Sequence, residues 1–68
     1  MDNRFPEPGF SRAKDILAVF PVSRSLWYQA VAEGRIERPT KLGARTVAWP
    51  NKYLNQLLTR LEAGEKIL

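Results

Sequence analysis

Pro21-Val22-Ser23-Arg24-Ser25-Leu26-Trp27-Tyr28-Gln29-Ala30-Val31-Ala32-Glu33-Gly34 spells a helix with both ends marked, beginning just after another helix has been stopped. Proline at position 21 disfavours helical geometry at Phe20 and removes a backbone donor, so any preceding helix ends there. Ser23 is an N-cap candidate, and Val22 lies five positions before Trp27, the placement of a hydrophobic staple. Gly34 stands where a left-handed C-cap belongs, which predicts a helix over residues 24–33. Upstream, Ala13, Ile16, Leu17 and Phe20 recur at the spacing of one buried helical face, and Ser11 is placed to cap a helix over about residues 12–20. Two short helices joined by three or four residues at a set angle make a helix-turn-helix.

Beyond Gly34 the period changes. Residues 35–39 read as a polar connector. Thr40-Lys41-Leu42 and Thr46-Val47-Ala48-Trp49 then read as two β-prone runs, separated by Gly43-Ala44 as in a two-residue type II′ hairpin. Two strands alone are marginal in water, so the hairpin is expected to rest on the helices through Val47 and Trp49. Pro50 ends the second strand and Asn51 is a candidate cap. Leu54, Leu57, Leu58 and Leu61 form an apolar stripe before Gly64 closes the last helix. That stripe is under two heptads long, which favours packing across the back of the first two helices over a dimer zipper. Pro6, Pro8 and Gly9 make residues 1–10 an extended arm. The expected organisation is therefore that arm, a domain over residues 11–64, and a short tail over 65–68. The fold class is mainly α with a small β-hairpin.

Composition narrows the chemistry. The chain has 68 residues, no cysteine and no histidine, so disulfides, Cys/His metal sites and imidazole- or thiol-based catalysis are absent. The closest acidic pairs, Glu33/Glu37 and Glu62/Glu65, sit at the polar ends of helices and read as solvated charge. No enzyme activity, cofactor or small-molecule substrate is expected. The net charge is +4, and between positions 11 and 52 eight cations face three acids. A basic centre of this kind suits nucleic acid or another anionic surface. No apolar run approaches the ~20 residues of a membrane span and no signal-peptide layout is present, so no membrane partner is expected.

The wheel of the second helix places Leu26, Trp27, Ala30 and Val31 on one arc and Arg24, Ser25, Tyr28, Gln29 and Ala32 on the other. The second arc offers a guanidinium fork, a hydroxyl, a phenol and an amide around a small residue, the groups that reach base edges and phosphate oxygens. An ordinary solvent-facing helix surface would carry similar residues, and Tyr28 could lie against the core. Lys41 and Arg45 would stand near the hairpin tip, where cations also serve to protect an edge strand.

The order helix, tight turn, helix, glycine, basic hairpin, tryptophan, helix resembles the AlpA-type phage regulators and small excisionases (recombination directionality factors) of the MerR-like winged-helix superfamily. The likeness covers about residues 11–63. It is carried by Val22-Ser23-Arg24-Ser25-Leu26-Trp27-Tyr28, by Glu33-Gly34-Arg35, and by the stretch from Lys41 to a hairpin ending in Trp49. The chain departs from that pattern at Ile36-Glu37-Arg38-Pro39, where such proteins often carry Phe-Pro, and at Leu57 and Leu58, where a late tryptophan is often found.

The resemblance implies a winged helix-turn-helix whose second helix enters the major groove of double-stranded DNA while the wing contacts the neighbouring backbone or minor groove. By it, Arg24, Ser25, Tyr28 and Gln29 take the recognition-helix role and Lys41 and Arg45 the wing role. Ser23, at the head of the helix, joins the expected DNA-binding set, and Arg35, Arg38 and Lys52 add expected phosphate contacts. The implied role is a prophage or mobile-element accessory protein, an excisionase serving an integrase or a transcription regulator, in the bacterial cytoplasm at the nucleoid. One module buries an interface of only about 600–1,000 Å², so further copies on DNA or a larger partner are expected. The rival expectation is a small protein-interaction module that binds and inhibits an acidic regulatory partner.

Overall fold

In a computed structural model that describes residues 4–68, the chain runs β1 (Phe10–Ser11), α1 (Ala13–Leu17), α2 (Arg24–Ala32), β2 (Thr40–Lys41), β3 (Val47–Pro50) and α3 (Asn51–Glu62). The helix that decides the fold forms as its sequence predicts. The Ser23 hydroxyl accepts from the Leu26 backbone N–H at 3.1 Å. At the other end Gly34 takes φ +81°, so that its N–H reaches the Val31 carbonyl at 3.1 Å and the Arg35 N–H reaches Ala30 at 2.9 Å. Those two bonds are a Schellman closure, and they satisfy carbonyls the helix end leaves open. α1 is shorter than expected: regular helix ends at Leu17, and the Val19 and Phe20 N–H groups share the Ile16 carbonyl in a tightened turn ahead of Pro21.

Ile16 from α1, Trp27 and Ala30 from α2, Ile36 from the connector, Trp49 from β3 and Leu54 and Leu57 from α3 meet in one buried cluster. The leucine stripe of α3 is thus the support its spacing predicts, with Leu58 and Leu61 half-buried at its margin. Aromatic contacts run through the cluster, Trp27 lying 5.5 Å from Phe20 and 5.5 Å from Trp49, edge-on to the latter.

Four further expectations need correction. Ser11 does not cap α1; it sits in β1, and its hydroxyl donates to Asn51 Oδ1 at 2.6 Å. Asn51 does not cap α3, because its side chain is buried and committed to distant partners, Nδ2 donating to the Pro6 carbonyl at 2.6 Å. The hairpin connection is longer by one residue. Thr40 pairs with Ala48 and Lys41 with Val47, and the Leu42 N–H reaches the Thr46 carbonyl at 2.8 Å, so residues 43–45 form the loop and Gly43 does not take the positive φ of a II′ turn. The cause is an anchor upstream: Trp49 Nε1 donates to the Glu37 carbonyl at 2.8 Å and the Glu37 N–H donates to the Tyr53 hydroxyl at 3.1 Å. With Glu37 pinned, the connector delivers Thr40 opposite Ala48 and the loop absorbs the extra residue.

The fourth concerns the ends of the chain. Residues 1–3 of the expected arm lie outside the described residues. The rest is extended but docked: Phe10 pairs with Pro50 and Ser11 with Trp49, so β1 joins the hairpin in an antiparallel sheet ordered β1-β3-β2. Phe5 is buried and stacks on Phe20 at 6.0 Å. Asn55 accepts from the Phe5 N–H at 3.2 Å and donates to its carbonyl at 2.7 Å, clamping that residue from both sides. At the other terminus Ile67 is buried in the same cluster.

The two tryptophans differ in one respect that can be measured. Trp49 has its N–H bonded, whereas Trp27 Nε1 is buried with no partner among the described residues. Removing a bonded buried donor loses its bond, while removing an orphaned one relieves a desolvation penalty. In denaturant unfolding, Trp49→Phe is expected to lose at least about 1 kcal/mol more than Trp27→Phe. Equal losses would show the Trp49 bond to be energetically idle.

Candidate nucleic-acid interface

Ser23 starts α2 facing outward, so the first residue of the helix, Arg24, and the residue one turn on, Tyr28, project on the same side. The β2–β3 connection carries Arg45 to that side, and the start of α1 carries Arg12 and Lys14. Together they wall an open groove of about 500 Å³, with Asp15 the single acid on its rim. Four cations against one carboxylate make this the groove's dominant chemistry, suited to a polyanion that lies along it. Tyr28 is 39% exposed, its ring 6.1 Å from that of Trp49, so the ring lies against the core at one side and is open to the groove. That places a phenol, an amphipathic ring with a polar tip, at the groove.

Of the residues expected from sequence, the structure brings Arg24, Tyr28 and Arg45 together on the groove. Ser25 is exposed on α2 beside them, and Ser23 uses its oxygen as the cap, which leaves its hydroxyl hydrogen free to donate. Arg38 in the connector and Lys41 at the end of β2 are exposed but do not line the groove. Lys52 lies apart, bordering a shallow hollow with Glu7, Phe10 and Pro50.

Gln29 and Arg35 form a second arrangement. Gln29 Nε2 donates to Glu33 Oε2 at 3.2 Å, and Arg35 Nη2 pairs with Glu33 Oε1 at 2.6 Å. Arg35 also donates through Nη1 to the Ile67 carbonyl at 3.2 Å, so it is held within the molecule rather than extended toward a ligand. The Gln29 hydrogen bond, with the Arg35 charge beside it, holds the Glu33 carboxyl below its ordinary range.

Arg12 and Lys14 also line the groove, although the sequence showed them only as part of the basic excess and not as members of the candidate interface. Lys14 was legible as an exposed position of α1 beside Ala13 and Ile16, whereas Arg12 stands in extended conformation just before the helix, where no periodicity places it.

No helix among the described residues is long and apolar enough to cross a membrane. No curated protein and no solved structure matches the chain. The family model described as prophage CP4-57 regulatory protein (AlpA) does match, over residues 9–60, from the first strand to the last helix and across every element that walls the groove. On that span the chain belongs to the AlpA family of prophage regulatory proteins.

Proposed function

We propose that this protein is a double-stranded DNA-binding regulator built as a winged helix-turn-helix. α2 is the recognition helix and enters the major groove, and the hairpin of β2 and β3 is the wing over the neighbouring backbone or minor groove. The observation that carries the reading is the convergence of Arg24 and Tyr28 from α2, Arg45 from the hairpin and Arg12 and Lys14 from α1 on one groove. Cations from three separate elements give a duplex backbone several simultaneous contacts, with Tyr28 of α2 among them and the rest of the exposed face of α2 running on from the groove. Within the regulator's element the role is accessory and non-catalytic: control of transcription, or direction of excision alongside an integrase, in the cytoplasm at the nucleoid. Several copies side by side supply the specificity that one module lacks.

The test is a titration of labelled duplex at rising salt. Wild-type affinity is expected to fall steeply with salt, and Arg45→Ala is expected to weaken binding on every sequence while making the log–log slope shallower by about 0.9, one phosphate contact. An unchanged slope removes the wing from the interface. Wild-type protein that ignores duplex DNA at low salt overturns the reading in favour of a protein partner.

A further inference from the structure

Arg35, Glu33 and Gln29 form a relay that starts at the carbonyl of Ile67 and ends on the exposed face of α2. Arg35 lies at the surface, its side chain 34% exposed, and its guanidinium is held at both ends, by Ile67 on one side and Glu33 on the other. A fork held on two sides is restricted, and it favours one orientation of the carboxylate it touches. Glu33 in turn offers its second oxygen to Gln29, one helical turn back. The orientation of the Gln29 amide follows from chemistry alone: an ionised carboxylate only accepts, so the amide must turn its NH2 toward Glu33 and its oxygen away. The favoured hydrogen for this bond is the one anti to the amide oxygen, because using the other would bring that oxygen against the carboxylate. What Gln29 then presents outward is one carbonyl acceptor and one N–H donor side by side. In the major groove that pair matches adenine, whose N6 amino group donates and whose N7 accepts.

Resting on the DNA-binding reading above, the geometry points to Gln29 as an adenine-reading residue and to Glu33 and Arg35 as the positioning residues that fix its amide. Gln29 and Arg24 lie at opposite edges of the exposed arc of α2, with Ser25 and Ala32 between them, so adenine recognition falls on the side of the helix away from the basic groove. Arg35 acts through Glu33 and does not need to touch DNA.

The experiment selects bound duplexes from a randomised pool with wild-type protein, Gln29→Ala and Glu33→Ala, and then measures affinity on the selected site with its adenine replaced by 7-deazaadenine. That base still pairs with thymine but lacks the N7 acceptor. Wild type is expected to enrich adenine at one position per site and to lose about tenfold in affinity on the deaza duplex. Gln29→Ala is expected to lose the preference at that position alone and to be indifferent to the deaza base. Glu33→Ala is expected to lose the same preference while binding mixed duplex at least as tightly, since it removes a negative charge beside the phosphates. That opposition, tighter overall yet less selective at one base, is what a merely structural glutamate would not give. Retained adenine preference in Glu33→Ala overturns the positioning role, and unchanged preferences in Gln29→Ala, or insensitivity of the wild type to the deaza base, overturn the reading of Gln29. A pool from which wild type enriches nothing overturns instead the DNA-binding function on which the inference rests, and the inference with it.

Discussion

Phe5→Ala is expected to lower folding stability by about 3–5 kcal/mol, the loss seen when a large aromatic is cut from a close-packed core. In a domain of this size the core supplies a net stability of about the same magnitude, so the variant should be largely unfolded at ambient temperature. Phe5 is 3% exposed, it stacks on Phe20 at 6.0 Å, and its backbone is bonded through both N–H and carbonyl to Asn55. Truncating the ring removes apolar burial, and it also removes the reason for the N-terminal segment to lie on α3, where Asn51 and Asn55 would be left with partly unpaired amides. Far-ultraviolet circular dichroism with urea titration reads the effect. A midpoint displaced by less than the equivalent of about 1 kcal/mol would show the segment to be a passive strap.

Arg24→Ala is expected to reduce the preference for a cognate over a scrambled duplex by about 1–3 kcal/mol, leaving the fold intact. Arg24 is the first residue of α2, exposed, and aimed into the same groove as Tyr28 and Arg45. A guanidinium at the head of a helix lying in the major groove is placed for bidentate contact with guanine, whose O6 and N7 both accept. Such a contact is lost on the right sequence and never made on the wrong one, so the two affinities converge. Parallel titrations on both duplexes decide the matter. If both weaken equally, Arg24 is a phosphate contact like Arg45, and base choice lies elsewhere on α2.

Much of this architecture was legible in the sequence because the signals involved act within a turn or two. Ser23, Pro21 and Gly34 bound α2 through contacts three or four residues long, and the leucine spacing of α3 needs no knowledge of its partner. The misreadings share a different cause. Ser11 and Asn51 each stand just before an expected helix, where serine and asparagine ordinarily cap, yet they bond to each other across 40 residues. The hairpin register depends in the same way on a bond from Trp49 back to Glu37, outside the hairpin itself. Of the residues lining the groove, Arg24, Tyr28 and Arg45 were readable as exposed from helix face and hairpin tip. Arg35 was expected as a phosphate contact because nothing local reveals that a carbonyl 32 residues away holds it. Local grammar describes elements, and only the tertiary fold says which polar groups are already spoken for.

The burial of both Phe5 and Ile67 in one cluster has a consequence for how the protein comes into being. Until Ile67 has left the ribosome, the nascent chain lacks one wall of its core and Arg35 lacks the carbonyl that holds it. Contacts between segments so far apart in sequence form only once both ends of the chain are present. A chain cut short before Ile67 is therefore expected to be destabilised and open to proteolysis, because it lacks both that core side chain and the carbonyl that holds Arg35.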